Sequence, residues 1–261
     1  MDVRMDGRNA IITGGSRGLG RAMAMRFAQS GANVAIVARR ENVLADTKAE
    51  IEAAAASATV VTCTADVSSA EGVESAFNTA VSGLGQIDIV VNNAGTSMAR
   101  PFEEITDEMW QTDLELKLFG AIRMIRLALP GMKQRGWGRI INILNTGAKS
   151  PRAGSTPTTV SRAAGLNLTK SLSLEYAPHG ILVNALCTGL IVTDQLESMR
   201  DRGAPDKTIA EFQEVLAGRI PLGRMGTAEE YANVACLLAS DAGGYVTGTA
   251  INIDGGSSPA T

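Results

Sequence analysis

Histidine and cysteine, the side chains that most often build metal centres and charge-relay triads, are scarce in this chain. Of its 261 residues only His179 is a histidine, and it lies in a Tyr-Ala-Pro-His-Gly turn. The cysteines, Cys63, Cys187 and Cys236, are far apart and have apolar neighbours. We therefore expect no metal site and no histidine-based catalysis, and we expect the cysteines to be small core residues in a reducing compartment.

Long apolar runs and an excess of positive charge are also missing. No stretch approaches the roughly 18 residues that a spanning helix needs, and the first residues form no apolar signal segment. With 24 basic and 27 acidic residues, the chain has no basic stripe for nucleic-acid phosphates and no polybasic arm for a membrane. These absences predict a cytoplasmic protein that binds neither nucleic acid nor membrane.

The sequence does contain a regular alternation of short β-branched runs and longer helix-like stretches. This alternation predicts an α/β fold, a single doubly wound parallel β-sheet of the Rossmann type with helices on both faces. No linker divides the chain, so we expect one domain over residues 1–261. The predicted strands are Asn9–Thr13, Asn33–Ala38, Thr59–Cys63, Ile87–Asn92, Arg139–Leu144, Ile181–Leu186 and Thr249–Ile253.

Helices fill the gaps between these strands. One is predicted over 21–30, another over 107–132 with its last turn disturbed by Pro130, and a third over 158–177. The segment 191–221 interrupts the alternation. Because it follows the carboxyl end of a strand, it is either a substrate lid or a plain surface excursion.

A glycine-rich turn, Thr13-Gly14-Gly15-Ser16-Arg17-Gly18-Leu19-Gly20, follows the first predicted strand and leads into a helix. Its glycines let the backbone turn tightly and approach a pyrophosphate, while the helix N-terminus supplies free amides. The turn resembles the Thr-Gly-x-x-x-Gly-x-Gly fingerprint of the short-chain dehydrogenase/reductase family. Asp66-Val67 resembles the family's adenine contact, and Asn92-Asn93-Ala94-Gly95 resembles its Asn-Asn-Ala-Gly signature.

The resemblance covers essentially the whole chain, through Leu182-Val183-Asn184, Thr193-Asp194 and Asp254-Gly255-Gly256, although Thr188 stands where the family usually has proline. It implies a homo-oligomer, a dimer or tetramer, that pairs its long helices. It also implies a set of cofactor-binding residues: Gly14, Ser16, Arg17, Gly18, Leu19, Gly20, Arg39, Asp66, Val67, Asn93, Ala94, Gly95, Arg162, Gly189 and Thr193.

The end of the second predicted strand bears on the choice of dinucleotide. An acidic residue there would bind a ribose 2′-hydroxyl, but this chain has Ala38-Arg39-Arg40. Together with Arg17, these guanidinium groups favour NADP(H) over NAD(H), because at least one of them can pair with the 2′-phosphate. The alternative is that they are solvated surface arginines.

The family's catalytic Tyr-x-x-x-Lys motif is absent. The residues four positions after Tyr176, Tyr231 and Tyr245 are glycine, alanine and threonine. When the family pattern is anchored on 170–175, Thr158 takes the place of the tyrosine and Arg162 that of the lysine.

The other two catalytic positions are also substituted. Counting back thirteen residues from Thr158 puts Asn145 at the family's serine position. The spacing from Trp110 to Gly120 puts Lys117 at the asparagine position.

These replacements change the chemistry that the site offers. Arg162 stays protonated, so it binds anions or ribose hydroxyls but does not exchange protons. Thr158 and Asn145 can donate hydrogen bonds to a carbonyl. Lys117 is the candidate acid/base, with a pKa that Arg162 would lower, or else it is solvated or paired with Asp113 or Glu115. If Lys117 and Arg162 both face the cleft, we expect an anionic ligand.

Three functions remain open at this point. The first is an NADP(H)-dependent oxidoreductase acting on a carbonyl or alcohol with a non-standard proton-transfer site. The second is a non-redox lyase, hydrolase or isomerase on the same fold. The third is a catalytically silent dinucleotide-binding subunit, since four replacements are what a loss of chemistry would produce.

Overall fold

A single parallel sheet organises the molecule. The computed structural model describes residues 3–261 apart from the side chain of Arg202, so Met1 and Asp2, which begin the stretch expected to lack a signal segment, lie outside the described residues. Within that range the seven strands pair in the order β3-β2-β1-β4-β5-β6-β7. They are β1 (Asn9–Thr13), β2 (Asn33–Ala38), β3 (Val60–Thr64), β4 (Ile89–Asn92), β5 (Gly138–Asn145), β6 (Ile181–Thr188) and β7 (Ala250–Ile253).

Helices connect these strands across both faces. The α-helices are α1 (Gly18–Gln29), α2 (Glu41–Ala54), α3 (Ala70–Leu84), α4 (Asp107–Leu114), α5 (Gly120–Arg135), α6 (Thr158–Tyr176), α7 (Gln195–Gly203), α8 (Ile209–Ala217) and α9 (Ala228–Ala239). Short 3-10 segments span Phe102–Glu104, Thr146–Ala148, Ala177–His179 and Asp241–Gly243, and a π-helical turn spans Glu115–Phe119.

The core lies in two layers on either side of the sheet. On one face α1 and α9 pack together, with Phe27 and Tyr231 fully buried beside Ile12. On the other face Met124 of α5 packs with residues that include Ile11. Consecutive residues of β1 therefore belong to different clusters, as expected for a parallel strand covered on both sides.

The predicted doubly wound α/β sheet is confirmed, and each strand lies within two residues of its predicted bounds. The prediction of one continuous helix over 107–132 was wrong in detail. The π-helical turn divides it into α4 and α5, and α5 continues past Pro130 to Arg135. Pro130 is tolerated because it and Arg126, whose carbonyl loses its helical partner, both face solvent.

The segment 191–221 contains two helices, α7 and α8, rather than an irregular excursion. None of the helices in the described part of the chain is both long and apolar enough to cross a membrane. The segment and the residues after it build a small apolar cluster of their own from Leu196, Phe212, Leu216, Ile220 and Met225.

Candidate functional site

The glycine-rich turn joins β1 to α1 at the point where the strand order reverses, between β1 and β4. Gly14 and Gly18 have φ angles of 64° and 52°, a region that side-chain-bearing residues rarely adopt. A Cβ atom on Gly20 would lie 2.1 Å from the carbonyl oxygen of Gly14. The local backbone therefore requires glycine at all three positions of the fingerprint.

Thr13 and Asn93 tie this turn to the loop after β4. The Thr13 hydroxyl accepts hydrogen bonds from the backbone N–H groups of Asn93 at 2.9 Å and Ala94 at 3.0 Å. The Asn93 side-chain amide donates to the carbonyls of Thr13 at 2.9 Å and Gly14 at 3.2 Å. Two predicted cofactor residues, Asn93 and Ala94, thus hold the turn in shape.

The N-terminus of α1 has no side-chain cap among the described residues. Arg17, its N-cap residue, makes no side-chain capping bond within residues 3–261, whereas Thr227 caps α9 with its hydroxyl. The first-turn amides of α1 therefore still need acceptors. Thr193, which follows β6, lies 3.5 Å from the position that a Cβ on Gly18 would occupy, so two predicted contact residues approach each other across this cleft.

The predicted adenine end lies at β3. The backbone N–H of Ser68 donates to Asp66 and, with the Ser68 hydroxyl, lowers the pKa of the Asp66 carboxyl. Arg39 lies 3.9 Å from that carboxylate, with both side chains largely exposed. Val67 is buried. The structure thus brings Arg39, Asp66 and Val67 to one edge of the cleft.

Ser16, Leu19 and Gly189 are further predicted cofactor residues. The Ser16 carbonyl accepts a hydrogen bond of 2.9 Å from Thr47, and Leu19 packs against the core cluster of α1 and α9. A Cβ on Gly189 would lie 2.5 Å from the Cα of Asp254, so this loop needs glycine to pass close to the end of β7.

Lys117 lies in the π-helical turn and is buried, with 1% of its side chain exposed. Its ammonium forms a hydrogen-bonded ion pair with Asp113, whose side chain is fully buried. Glu115 instead pairs with Arg123 at 2.7 Å. Of the alternatives left open by the sequence, the structure supports the Asp113 pair and not a solvated lysine or a partnership with Glu115.

The ion pair changes the electrostatics expected of the site. Burial is the main factor that lowers the pKa of Lys117, the Asp113 carboxylate opposes this, and the positive charge of Arg162 adds to the lowering. The positive charge of Arg162 therefore lowers the pKa of Lys117, as the sequence led us to expect, but burial lowers it more. Because Asp113 compensates the charge of Lys117, the more cationic pocket expected if Lys117 and Arg162 both faced the cleft depends on Arg162 alone, and so does the argument for an anionic ligand.

Thr158, the first residue of α6, lies against this ion pair. Its hydroxyl oxygen accepts a hydrogen bond of 3.0 Å from the Lys117 ammonium and one of 2.9 Å from the backbone N–H of Met98. A hydroxyl group has two acceptor lone pairs and one hydrogen. With both lone pairs engaged, the hydrogen of Thr158 is left to donate to a further acceptor.

Arg162, which lies close to Lys117, and Asn145, the last residue of β5, each carry a polar atom without a protein partner among the described residues. Arg162 donates to the carbonyl of Ile143 at 2.5 Å, and its guanidinium packs so closely on Gly95 that a Cβ there would lie 2.5 Å from Nη2. Its Nε and the Oδ1 of Asn145 are buried and have no hydrogen-bond partner among the described residues. Buried polar atoms are normally satisfied, so these two are exceptions to the usual pattern.

Sequence reasoning missed the roles of two further buried side chains. Asp113 appears there only as an alternative partner for Lys117, and Ser161 does not appear. Ser161 donates a hydrogen bond of 2.6 Å to the second carboxylate oxygen of Asp113. The four-residue spacing of Asp113 and Lys117 on one helix was the available signal, but it is equally typical of exposed ion pairs.

Comparison with known proteins places this geometry in context. The family model described as Enoyl-(Acyl carrier protein) reductase matches residues 14–258. The chain is 35% identical to the short-chain reductase protein NovJ of Streptomyces niveus, covering 95% of this chain and 92% of that protein. It is 34% identical to an acetoacetyl-CoA reductase of Shinella zoogloeoides, covering 95% and 98%. The L-sorbose reductase of Gluconobacter frateurii, solved with NADPH and L-sorbose, is 32% identical, with a TM-score of 0.95 and full coverage of both chains.

Proposed function

Because the chain belongs to the short-chain dehydrogenase/reductase family of oxidoreductases, which act on carbonyl and alcohol substrates, we propose that it is an NADP(H)-dependent carbonyl reductase in which Thr158 delivers the proton. The observation that carries this proposal is the hydroxyl of Thr158, which accepts from Lys117 and Met98 and keeps its hydrogen free to donate. At the corresponding position the family has the tyrosine that passes this proton.

The residues around the glycine-rich turn fit a dinucleotide. The uncapped first turn of α1 offers amides to a pyrophosphate, and Gly14, Gly18 and Gly20 leave room for its close approach. Arg17 and Arg39 supply the positive charge that a 2′-phosphate would favour, which supports NADP(H) over NAD(H). When bound, the reduced nicotinamide supplies the hydride for the carbonyl carbon.

The protein's own groups account for the other half of the reduction. As the carbonyl carbon gains a hydride, its oxygen gains negative charge and takes the proton of the Thr158 hydroxyl. Lys117 donates to the same hydroxyl, so its ammonium passes a proton to the Thr158 oxygen as that oxygen gives up its own. Solvent reprotonates the Lys117 amine after the product leaves. We assign the polarisation of the carbonyl to the side-chain amide of Asn145, and the binding of ribose hydroxyls or of an anionic group of the substrate to Arg162.

Two features outside the catalytic group belong to the same proposal. We infer that segment 191–221 is a substrate lid on a single domain, because its helices follow β6 and it places Thr193 over the glycine-rich turn. We also infer a homo-oligomer, dimer or tetramer, in which α6 takes part, since Leu174 and Val160 of that helix are exposed. Sedimentation at several protein concentrations tests the second inference.

The test of function is NADPH oxidation over a panel of aldehydes, ketoses and β-ketoacyl thioesters. We expect turnover with at least one class, and a loss of kcat of about 100-fold or more in Thr158→Val, which lacks the proton, but not in Thr158→Ser. NADPH binding without any turnover would instead indicate a silent subunit. Turnover that needs no nicotinamide would indicate a non-redox enzyme.

A further inference from the structure

Asp113 is the one acidic side chain in direct contact with the proposed proton-transfer group among the described residues, and it has no counterpart in the four-residue pattern considered above. Its side chain is fully buried. One carboxylate oxygen binds the Lys117 ammonium, and the other accepts the 2.6 Å hydrogen bond from Ser161. Both oxygens are therefore held by the protein, which fixes the orientation of the carboxylate.

The same contacts connect two helices. Asp113 lies in the last turn of α4 and Lys117 in the following π-helical turn, while Ser161 and Thr158 occupy the first turn of α6. The backbone carbonyl of Thr158 lies 3.0 Å from the Ser161 oxygen and is an alternative acceptor for its single hydrogen. Hydrogen bonds thus link the Ser161 hydroxyl, the carboxylate, the ammonium and the Thr158 hydroxyl in one chain.

We propose that Asp113, oriented by Ser161, is a positioning residue that keeps the buried Lys117 protonated and directed at the Thr158 hydroxyl. Removing an ammonium from water favours its neutral form, and a carboxylate in contact with it opposes that preference. Without Asp113, Lys117 would be a desolvated amine beside the positive charge of Arg162. A neutral amine has no proton to pass to Thr158 as Thr158 donates to substrate.

The remaining charged and titratable groups near this site do not replace Asp113. From α6, Arg162 faces Lys117 and opposes its protonation. Behind Arg162 lie the Tyr231 hydroxyl and the Cys187 thiol, and burial raises the pKa of both groups, so they are neutral near pH 7. Burial lowers the pKa of Lys117, as expected for an ammonium that the surrounding protein encloses.

The decisive experiment is a pH titration of Lys117 in the whole protein, followed by NMR of lysine labelled with 13C at Cε. The Lys117 signal is identified by its absence in Lys117→Met. We expect the midpoint in Asp113→Asn to lie at least about one pH unit below that of the wild type. Glu115→Gln, which removes a carboxylate from a half-exposed ion pair on the next turn, should leave the midpoint unchanged. An unchanged midpoint in Asp113→Asn overturns the proposal.

Ser161→Ala provides a second variant in case Asp113→Asn does not fold. It keeps both charges but removes a hydrogen bond that stabilises the carboxylate as an anion, so a smaller shift in the same direction is expected. No shift in the only folded variant of the two also overturns the proposal.

The catalytic consequence rests on the proposed function and is measured separately. In Asp113→Asn the pH at which kcat for carbonyl reduction falls on the alkaline side should decrease with the NMR midpoint, while KM changes less than kcat. An NMR shift without any turnover in the wild type would refute the proposed function and leave the role of Asp113 intact. If the wild type turns over but the alkaline side of the kcat–pH profile is the same in Asp113→Asn, the role of Asp113 is refuted and the proposed function stands.

Discussion

Replacing Lys117 by methionine should be far more costly than replacing a lysine in an exposed pair of the same spacing. Methionine preserves the length and apolar stem of the side chain but leaves Asp113 buried without its cation. Breaking a buried pair in this way costs about 3–5 kcal/mol, a large part of the roughly 5–15 kcal/mol that stabilises a folded protein. At about 2–4 °C per kcal/mol, the Tm should fall by about 10 °C.

The matched control is Lys48→Met. Lys48 and Glu52 are also four residues apart on one helix, with their charges 3.5 Å apart, but their side chains are 40% and 46% exposed. We expect this substitution to cost about 0.3–0.5 kcal/mol. Urea unfolding at fixed protein concentration measures both variants.

A double variant defines the cause of the loss. Adding Asp113→Val to Lys117→Met should restore most of the stability, because Ser161 can still donate to the Thr158 carbonyl. A loss below about 1 kcal/mol in the single variant would refute a buried, charged pair.

Three other predictions concern the cofactor and the pH profile. Arg39→Ala should weaken NADPH binding about tenfold and leave NADH binding nearly unchanged, as measured by fluorescence titration; an equal loss for both would contradict a 2′-phosphate contact. Gly20→Ala should abolish dinucleotide binding because its Cβ would meet the Gly14 carbonyl at 2.1 Å, whereas Gly203→Ala, with open space around it, should bind normally. Carbonyl reduction should decline at a pH below 10.5, the ordinary pKa of lysine, because the ammonium form of Lys117 is required and its pKa is lowered; a decline only above that value would contradict the assignment.

The alternation of short apolar runs with helix-like stretches was sufficient to predict the sheet, because each strand contains β-branched residues and a longer segment separates it from the next strand. The glycine fingerprint was equally informative, since the positive φ angles of Gly14 and Gly18 and the tight contact at Gly20 leave few other residue types possible. Local sequence could not reveal the π-helical turn after Leu114, because nothing in Glu115–Phe119 disfavours an ordinary helix. The π-helical turn therefore depends on how these residues pack against the rest of the fold.

The catalytic group was predictable only in part for a similar reason. Family spacing identified Lys117 and Thr158, but spacing does not tell which carboxylate a lysine will contact. Asp113 and Glu115 are both near Lys117 in sequence, and only their opposite environments, one buried and one half-exposed, separate them. Ser161 carries no sequence signal at all, since serine is common on helix faces.

The hydrogen bonds between Thr13 and Asn93 have a consequence for the dynamics of the whole fold. They join β1 to the loop after β4, and β1 belongs to the first half of the sheet while β4 begins the second. Neither half can open locally at its inner edge without breaking them. The backbone amides of Asn93 and Ala94 should therefore exchange with deuterium only through the largest opening events, as slowly as the centre of the sheet, although they border the cleft.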